Sequence, residues 1–336
     1  STATAWGKTA VHAKSTPGFI VNRVARPYYG EALRLLAEGA ASAATIDAVM
    51  REAGGFRMGP FELMDMIGHD VNYAVTCSVW NAFYNDPRFA PSLVQKELLD
   101  AGFLGKKSGR GFFDYREGAS KPAPQTDATR AVPTTGITLC GDSPAAQALT
   151  ERLTKADIPF VKTPSVDGRV AQVNGAVLFV TDGRSATQRA SDTGFANTMV
   201  IDLALDYRVA TRLAVAAAAQ CADDALDAAI ALLQAAGLQV SRLADIPGLV
   251  VMRTVAMLAN EAADAVNQGV CSAQAADAAM RMGVNYPQGP LAWADAIGLP
   301  TVQNVLANLG ASYGEDRYRI SPLIQRNVFS KKQFHG

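Results

Sequence analysis

The sequence predicts a mainly α-helical protein with one internal α/β domain, and three observations carry that prediction. The first is self-similarity: residues from Pro17, PGFIVNRVARPYYGEALRLLAEG, return from Pro247 as PGLVVMRTVAMLANEAADAVNQG at an offset of 230 residues. The second is a change of pattern over 137–245, where short apolar runs alternate with helical periodicity. The third is residues 116–136, REGASKPAPQTDATRAVPTTG, whose Pro, Ala, Thr and Ser content and weak apolar periodicity mark a linker. The predicted order is a helical domain (17–115), the linker (116–136), an α/β domain (137–245) and a second helical domain (246–336).

The repeat holds its register without a gap. Gly18 matches Gly248, Arg23 matches Arg253, Glu31 matches Glu261 and Gly39 matches Gly269. Asp47 then matches Asp277, Gly59-Pro60 matches Gly289-Pro290, and Asp65 and Gly68 match Asp295 and Gly298. In each copy a proline opens the first helix and a glycine closes it, the positions where each residue is best tolerated. Phe19, Ile20, Val24, Tyr28, Leu33 and Leu36 form the apolar stripe, with a kink expected at Pro27. Further helices are expected over 43–53, 60–68, 71–85 and 91–101, followed by a glycine-rich turn and aromatic end at 102–115, which the second copy lacks.

In the α/β segment, ITLCG, PFVKT, GAVLFVTDG, NTMVIDLAL, TRLAVAAAA and LQVSRLAD read as strands, with helices over PAAQALTERLTKA and roughly residues 222–236. Strands alternating with helices predict a parallel, doubly wound sheet. Residues 7–18, GKTAVHAKSTPG, align with 237–248, GLQVSRLADIPG, at the same offset of 230. Residues 1–16 are therefore expected to be the last strand of a further α/β domain upstream.

Composition narrows the function. Lys plus Arg and Asp plus Glu each total 31, a balance that argues against nucleic-acid or polybasic membrane partners. Hydrophobic residues at 49% and charged residues at 18% supply packed cores. Cys77, Cys140, Cys221 and Cys271 are isolated, which suits a reducing cytoplasm and neither a disulfide framework nor a zinc site. No apolar run approaches the roughly 20 residues that cross a bilayer.

PGFIVNR (17–23), MGPFELMDMIG (58–68) and GKKSGRGFFDY (105–115) occur in an order and spacing that resemble the C-terminal domain of 3-hydroxyacyl-CoA dehydrogenases. The whole arrangement is similar to the long, internally duplicated members of that family that act on 3-hydroxyadipyl-CoA or 3-hydroxybutyryl-CoA. The resemblance implies two such helical domains flanking a degenerate Rossmann-like domain. It further implies NAD-dependent oxidation of a 3-hydroxyacyl-CoA, with the GxGxxG turn and the His/Glu pair in the upstream domain. On that reading the chain is the C-terminal portion of such an enzyme, binds no NAD itself, is inactive alone, and contributes dimerisation and part of the acyl pocket.

The site residues follow from the same motifs. Asn22 maps onto the family's substrate-contacting Asn, while the second copy has Met252 there. Arg57 is expected to pair with the distal carboxylate of a dicarboxylyl-CoA, with a surface ion pair as the rival role. Met58 and Phe61, of the same motif, are expected to line the acyl pocket. Lys106, Lys107 and Arg110 read as a solvated loop tip or a CoA-phosphate contact, and His69 as a capping or solvated residue. The turn Gly141-Asp142-Ser143-Pro144-Ala145-Ala146 lacks the glycines of a dinucleotide turn, so no cofactor or metal site is expected in the chain. The partners implied are the acyl-CoA, the upstream domain, and a second copy or the chain's own repeat, with the first helix packing on its counterpart about a pseudo-twofold axis. A standalone acyl-CoA-binding scaffold and a working nucleotide domain at 137–245 remain as alternatives.

Overall fold

The structure is a computed structural model that describes residues 5–7, 9–131, 135–165 and 167–336. It divides into two compact units: residues 1–34, 60–120 and 253–336 in one, and residues 35–59 and 121–252 in the other.

The second unit is built on a seven-stranded sheet. Its strands are β1 (Ile137–Cys140), β2 (Val161–Thr163), β3 (Arg169–Val173), β4 (Ala176–Val180), β5 (Thr198–Ile201), β6 (Arg212–Ala217) and β7 (Gln239–Arg242), in the spatial order β2-β1-β3-β4-β5-β6-β7. The expected all-parallel sheet is corrected to a mixed one. Only β1/β2, β4/β5 and β6/β7 run parallel, whereas β1/β3, β3/β4 and β5/β6 are antiparallel. The connections explain this. Each parallel pair is joined by a helix: Pro144–Lys155, Ala186–Thr193 and Asp223–Ala235 respectively. Between β3 and β4 lie only Asn174 and Gly175, both at positive φ (44° and 85°), a tight turn that permits nothing but an antiparallel hairpin. The segment between β5 and β6 contains no helix to serve as a crossover. Strand β3 and the helix Ala186–Thr193 are additions to the sequence reading. Arg169 and Gln172 interrupt the apolar run of β3, and only the Asn-Gly pair marked it.

The linker prediction is corrected as well. Residues 121–131 have no helix or strand, yet they are bonded to this unit. Asp127 N–H donates to Val240 O (2.8 Å), Ser241 Oγ to Gln125 O (2.6 Å), Gln234 Nε2 to Ala128 O (2.9 Å) and Arg212 Nη1 to Thr126 Oγ1 (2.8 Å).

The first unit is helical. Helix α1 (Val21–Val24) stops at Ala25 and α2 (Arg26–Ala37) restarts with Pro27 as its second residue. The kink predicted at Pro27 is there, because proline has no N–H to continue the ladder. At the offset position stands Met257, and Val251–Asn267 is one unbroken helix. In both segments the helix begins later than its proline, because Gly18 and Phe19 (φ 73° and 46°) and Gly248 and Leu249 (φ 77° and 53°) are left-handed. A Cβ on Gly18 would lie 3.0 Å from Arg23 N, so this turn requires glycine.

Residues 9–16 do not form the expected strand among the described residues. Residues 9–15 are exposed, and Lys14 N–H bonds Val270 O (2.8 Å). The second helical segment, read as lacking the aromatic tail, places its last residues on the equivalent aspartate. Phe112 and Phe113 N–H donate to Asp65 (2.9 Å each), and Phe334 and His335 N–H donate to Asp295 at 2.9 and 3.0 Å. The glycines of the longer tail are steric necessities: a Cβ on Gly111 would sit 2.0 Å from Asp65 Oδ1 and one on Gly105 2.2 Å from Asp65 O.

Candidate functional site

The start of α1 in the helical unit is where chemistry and exposure coincide. Asn22 is exposed on the first turn, and no bond ties its amide among the described residues. Its neighbour Arg23 is buried, donating Nε to Glu261 Oε1 (2.6 Å) and Nη1 to Gln268 Oε1 (2.9 Å), with its guanidinium over the Phe83 ring. The offset positions repeat this reciprocally. Arg253 Nε donates to Glu31 Oε2 (2.7 Å), Nη1 to Tyr313 OH (2.7 Å) and Nη2 to Tyr318 OH (2.8 Å). Arg88 adds a bond to Glu261 (3.1 Å), and Arg34 adds one to Glu31 (2.8 Å). Two charged pairs, exchanged between equivalent positions, thus fix α1, and with it Asn22.

Burial pushes the Glu31 carboxyl up. The charges of Arg34 and Arg253, with hydrogen bonds from Arg253 and Tyr318, outweigh that and hold it below the ordinary carboxylate value. Glu31 is therefore ionised at neutral pH.

The other predicted site residues separate. Phe61 is fully buried with its ring edge-on to Phe112 at 4.6 Å. Arg57 and Met58 lie in the sheet-containing unit. Arg57 is exposed and makes no hydrogen bond or ion pair among the described residues. Met58 is half-buried. The basic loop is committed locally: Lys107 pairs with Asp70, Lys106 sits over the Tyr115 ring and Arg110 over the Phe103 ring. His69, read as capping or solvated, is instead fully buried, between Asp65 Oδ1 on Nε2 (2.8 Å) and Gln95 Nε2 on Nδ1 (3.3 Å). Gln95 donates to Nδ1, so Nε2 carries the proton towards Asp65, and the ring braces the tail against the helix Pro60–Ile67. His335 Nε2 similarly bonds Asp277 at 2.8 Å.

Sequence reasoning missed two features. Asp202, just past β5, accepts from the N–H groups of Val250, Val251 and Met252 at 2.8–3.0 Å and so caps the helix Val251–Asn267. A lone acid within the apolar run VIDLAL was its signal. Arg26, one helical turn after Asn22, is buried at 6% exposure; its signal was a charge inside the apolar stripe next to Pro27.

A dinucleotide does not fit the turn after β1. Ser143 Oγ already accepts from Ala146 N–H (3.3 Å), Pro144 has no N–H, and Gly141 N–H is given to Thr163 O (2.8 Å). A pyrophosphate would meet the Asp142 carboxylate and few free donors. Among the described residues no group of three or more His, Cys, Asp or Glu could hold a metal, and no helix is long and apolar enough to cross a membrane.

Comparison with known proteins follows the same division. The profile of the 3-hydroxyacyl-CoA dehydrogenase C-terminal domain matches residues 18–115 and again 248–334. The profile of the 3-hydroxybutyryl-CoA dehydrogenase reduced Rossmann-fold domain matches 178–247. A protein of Escherichia coli K12 named 3-hydroxyadipyl-CoA dehydrogenase is 44% identical over 331 residues, which is 98% of this chain and 63% of that protein. A probable 3-hydroxyacyl-CoA dehydrogenase of Caenorhabditis elegans is 47% identical over 115 residues, 33% of this chain and 36% of its own length. A crystal structure of 3-hydroxybutyryl-CoA dehydrogenase from E. coli K12 superposes with a TM-score of 0.85 at 42% identity, over 98% of this chain and 63% of that one. The chain thus spans under two thirds of the relatives that it matches from end to end.

Proposed function

We propose a function from one premise: the chain belongs to the 3-hydroxyacyl-CoA dehydrogenase family. Its role is to position the acyl-CoA in the oxidation of a 3-hydroxyacyl-CoA to a 3-oxoacyl-CoA, with Asn22 as the residue that meets the substrate. The observation that carries this reading is an asymmetry. Two positions with the same backbone turn and the same neighbouring Arg–Glu pair hold an exposed, uncommitted amide in one case and a buried Met252 in the other. A fold needs no amide there; a substrate oxygen does. The Asn22 amide donates to the 3-oxygen and holds C3 in place, while the buried Arg23–Glu261 pair keeps α1 from shifting.

In this family NAD accepts the hydride. Because the turn after β1 does not fit a dinucleotide, the chain by itself is expected not to oxidise NADH with acetoacetyl-CoA. The relative named 3-hydroxyadipyl-CoA dehydrogenase supports a substrate of the 3-hydroxyadipyl type. The reciprocal pairs Arg23–Glu261 and Arg253–Glu31 support a further part of the proposal. The two helical segments act as a pseudo-dimer within one chain, which frees the second to lose its polar contact.

The test is calorimetric titration of acetoacetyl-CoA into the chain and into Asn22→Leu. The variant should bind about tenfold more weakly, the loss of roughly one hydrogen bond to a polarised oxygen, with unchanged thermal stability. Equal affinity would remove Asn22 from the substrate site.

A further inference from the structure

Arg26 is a buried cation without a counter-charge. Nη1 donates to Thr76 Oγ1 (3.0 Å), the guanidinium lies over the Tyr29 ring at 4.9 Å, and Nε has no hydrogen-bond partner. No carboxylate pairs with it among the described residues. The hydroxyls of Tyr29 and Tyr286 are near enough to act on it electrostatically, and burial lowers its proton affinity. An unpaired buried guanidinium is costly, and proteins keep such a group where something anionic completes it.

The second helical segment removes the structural explanation. At the offset of 230, Arg26 becomes Ala256, Tyr29 becomes Ala259 and Thr76 becomes Leu306, all of them buried. Equivalent helices therefore pack with no polar group at any of these positions. Asn22 disappears from the same segment as Met252, so the four polar residues are present together or absent together.

We propose that Arg26, held by Thr76 and beside the hydroxyl of Tyr29, is the seat for a carboxylate at the far end of the acyl chain, which makes thioesters of dicarboxylic acids the preferred substrates. This rests on the reading of Asn22 as the contact to the 3-oxygen. Asn22 lies in α1 and Arg26 opens α2, four residues further on across the break at Ala25, a separation of roughly one helical turn. Two methylenes and a terminal carboxylate beyond C3 span a similar length. Arg57, the guanidinium that the sequence put forward for this task, is exposed and remains solvated, so it lacks the dry surroundings in which a carboxylate contact discriminates.

Calorimetry with adipyl-CoA and hexanoyl-CoA, equal in chain length and different only in the terminal carboxylate, tests it on the purified chain. The unmodified chain should prefer adipyl-CoA by about tenfold or more, as expected for a charge-assisted contact. Arg26→Met should abolish that preference by weakening adipyl-CoA alone, and Arg57→Ala should retain it. Without ligand, Arg26→Met should melt at the same or a higher temperature, since it removes an uncompensated charge. Equal binding of the two thioesters by the unmodified chain, equal loss of both in Arg26→Met, or loss of the preference in Arg57→Ala would each overturn the assignment. A ligand-free melting point lowered by several degrees in Arg26→Met would show that a protein group pairs with the guanidinium, and would overturn it too. These outcomes are independent of the acetoacetyl-CoA titration of Asn22→Leu, whose failure alone would sink the substrate-site reading.

Discussion

The two helical segments differ less in backbone than in what they bury. Gly18-Phe19 and Gly248-Leu249 make the same left-handed turn, yet Phe19 is 57% exposed and Leu249 fully buried. Residues common to both segments have structural duties in the coordinates. The arginines and glutamates form the reciprocal ion pairs, Asp65 and Asp295 hold the tails, and Asp277 takes the N–H groups of Leu291 and Ala292. A Cβ on Gly59 or Gly289 would fall 2.3 or 2.2 Å from the Cγ of Asp47 or Asp277, which is why both keep glycine before proline. Among the residues that differ are four polar ones, Asn22, Arg26, Tyr29 and Thr76, against Met252, Ala256, Ala259 and Leu306. What both segments keep builds the fold; the proposed substrate contacts lie among the residues that one alone keeps.

The largest expected effect comes from breaking the reciprocal pairs. Arg253→Met should cost about 3–5 kcal/mol in urea unfolding, because it leaves buried Glu31 with one cation. Arg23→Met should cost less, since the cation left to Glu261, Arg88, is buried beside it, whereas Arg34, the one left to Glu31, is partly exposed to solvent. Equal costs would mean that the surrounding charges do not matter. Glu31 also sets an acid limit. Its folded-state pKa lies below the ordinary 4.5, so its contribution is complete above that pH and is lost as pH falls through the lower, folded value. Glu31→Gln should flatten the fall in stability below about pH 4.5.

The helix break offers a second, smaller contrast. Met257→Pro should cost about 3 kcal/mol or more, because it interrupts an unbroken buried helix. Pro27→Met should leave stability unchanged or raise it; a comparable loss there would show that the kink itself is needed for packing.

The smallest contrast lies in the tails. Asp65 accepts from two amides, Tyr115 and His69, whereas among the described residues Asp295 accepts only from the amides of Phe334 and His335. Asp65→Ala should therefore exceed Asp295→Ala by about 1–2 kcal/mol, roughly one to two net hydrogen bonds. Equal melting points would mean that the longer tail adds nothing to the stability of the unit.

Much of this was legible without coordinates. Gly, Pro and charged residues in one register recur only where the same turns and pairs recur, and so the repeat announced the ion pairs before they were seen. Every predicted strand in 137–245 is present, because apolar runs bounded by turn residues have few other solutions. Strand direction was not legible in the same way. It depends on whether a connection is long enough to hold a helix, and the Asn174-Gly175 hairpin and the helix-free link from β5 to β6 overturned the parallel sheet. His69 was misjudged because a motif gives order along the chain and not depth beneath the surface.

By itself the sequence determined the family, the helical and α/β segments and the polar residue at the head of α1, since these follow from periodicity, turn chemistry and register. Only the tertiary structure decided which charges are paired. It set Arg23 against Glu261, some 238 residues away, and left Arg26, three residues further on, buried and with no carboxylate partner among the described residues. Solvation is a property of the packed interior rather than of the residue, and it is what separates a structural arginine from one that waits for a ligand.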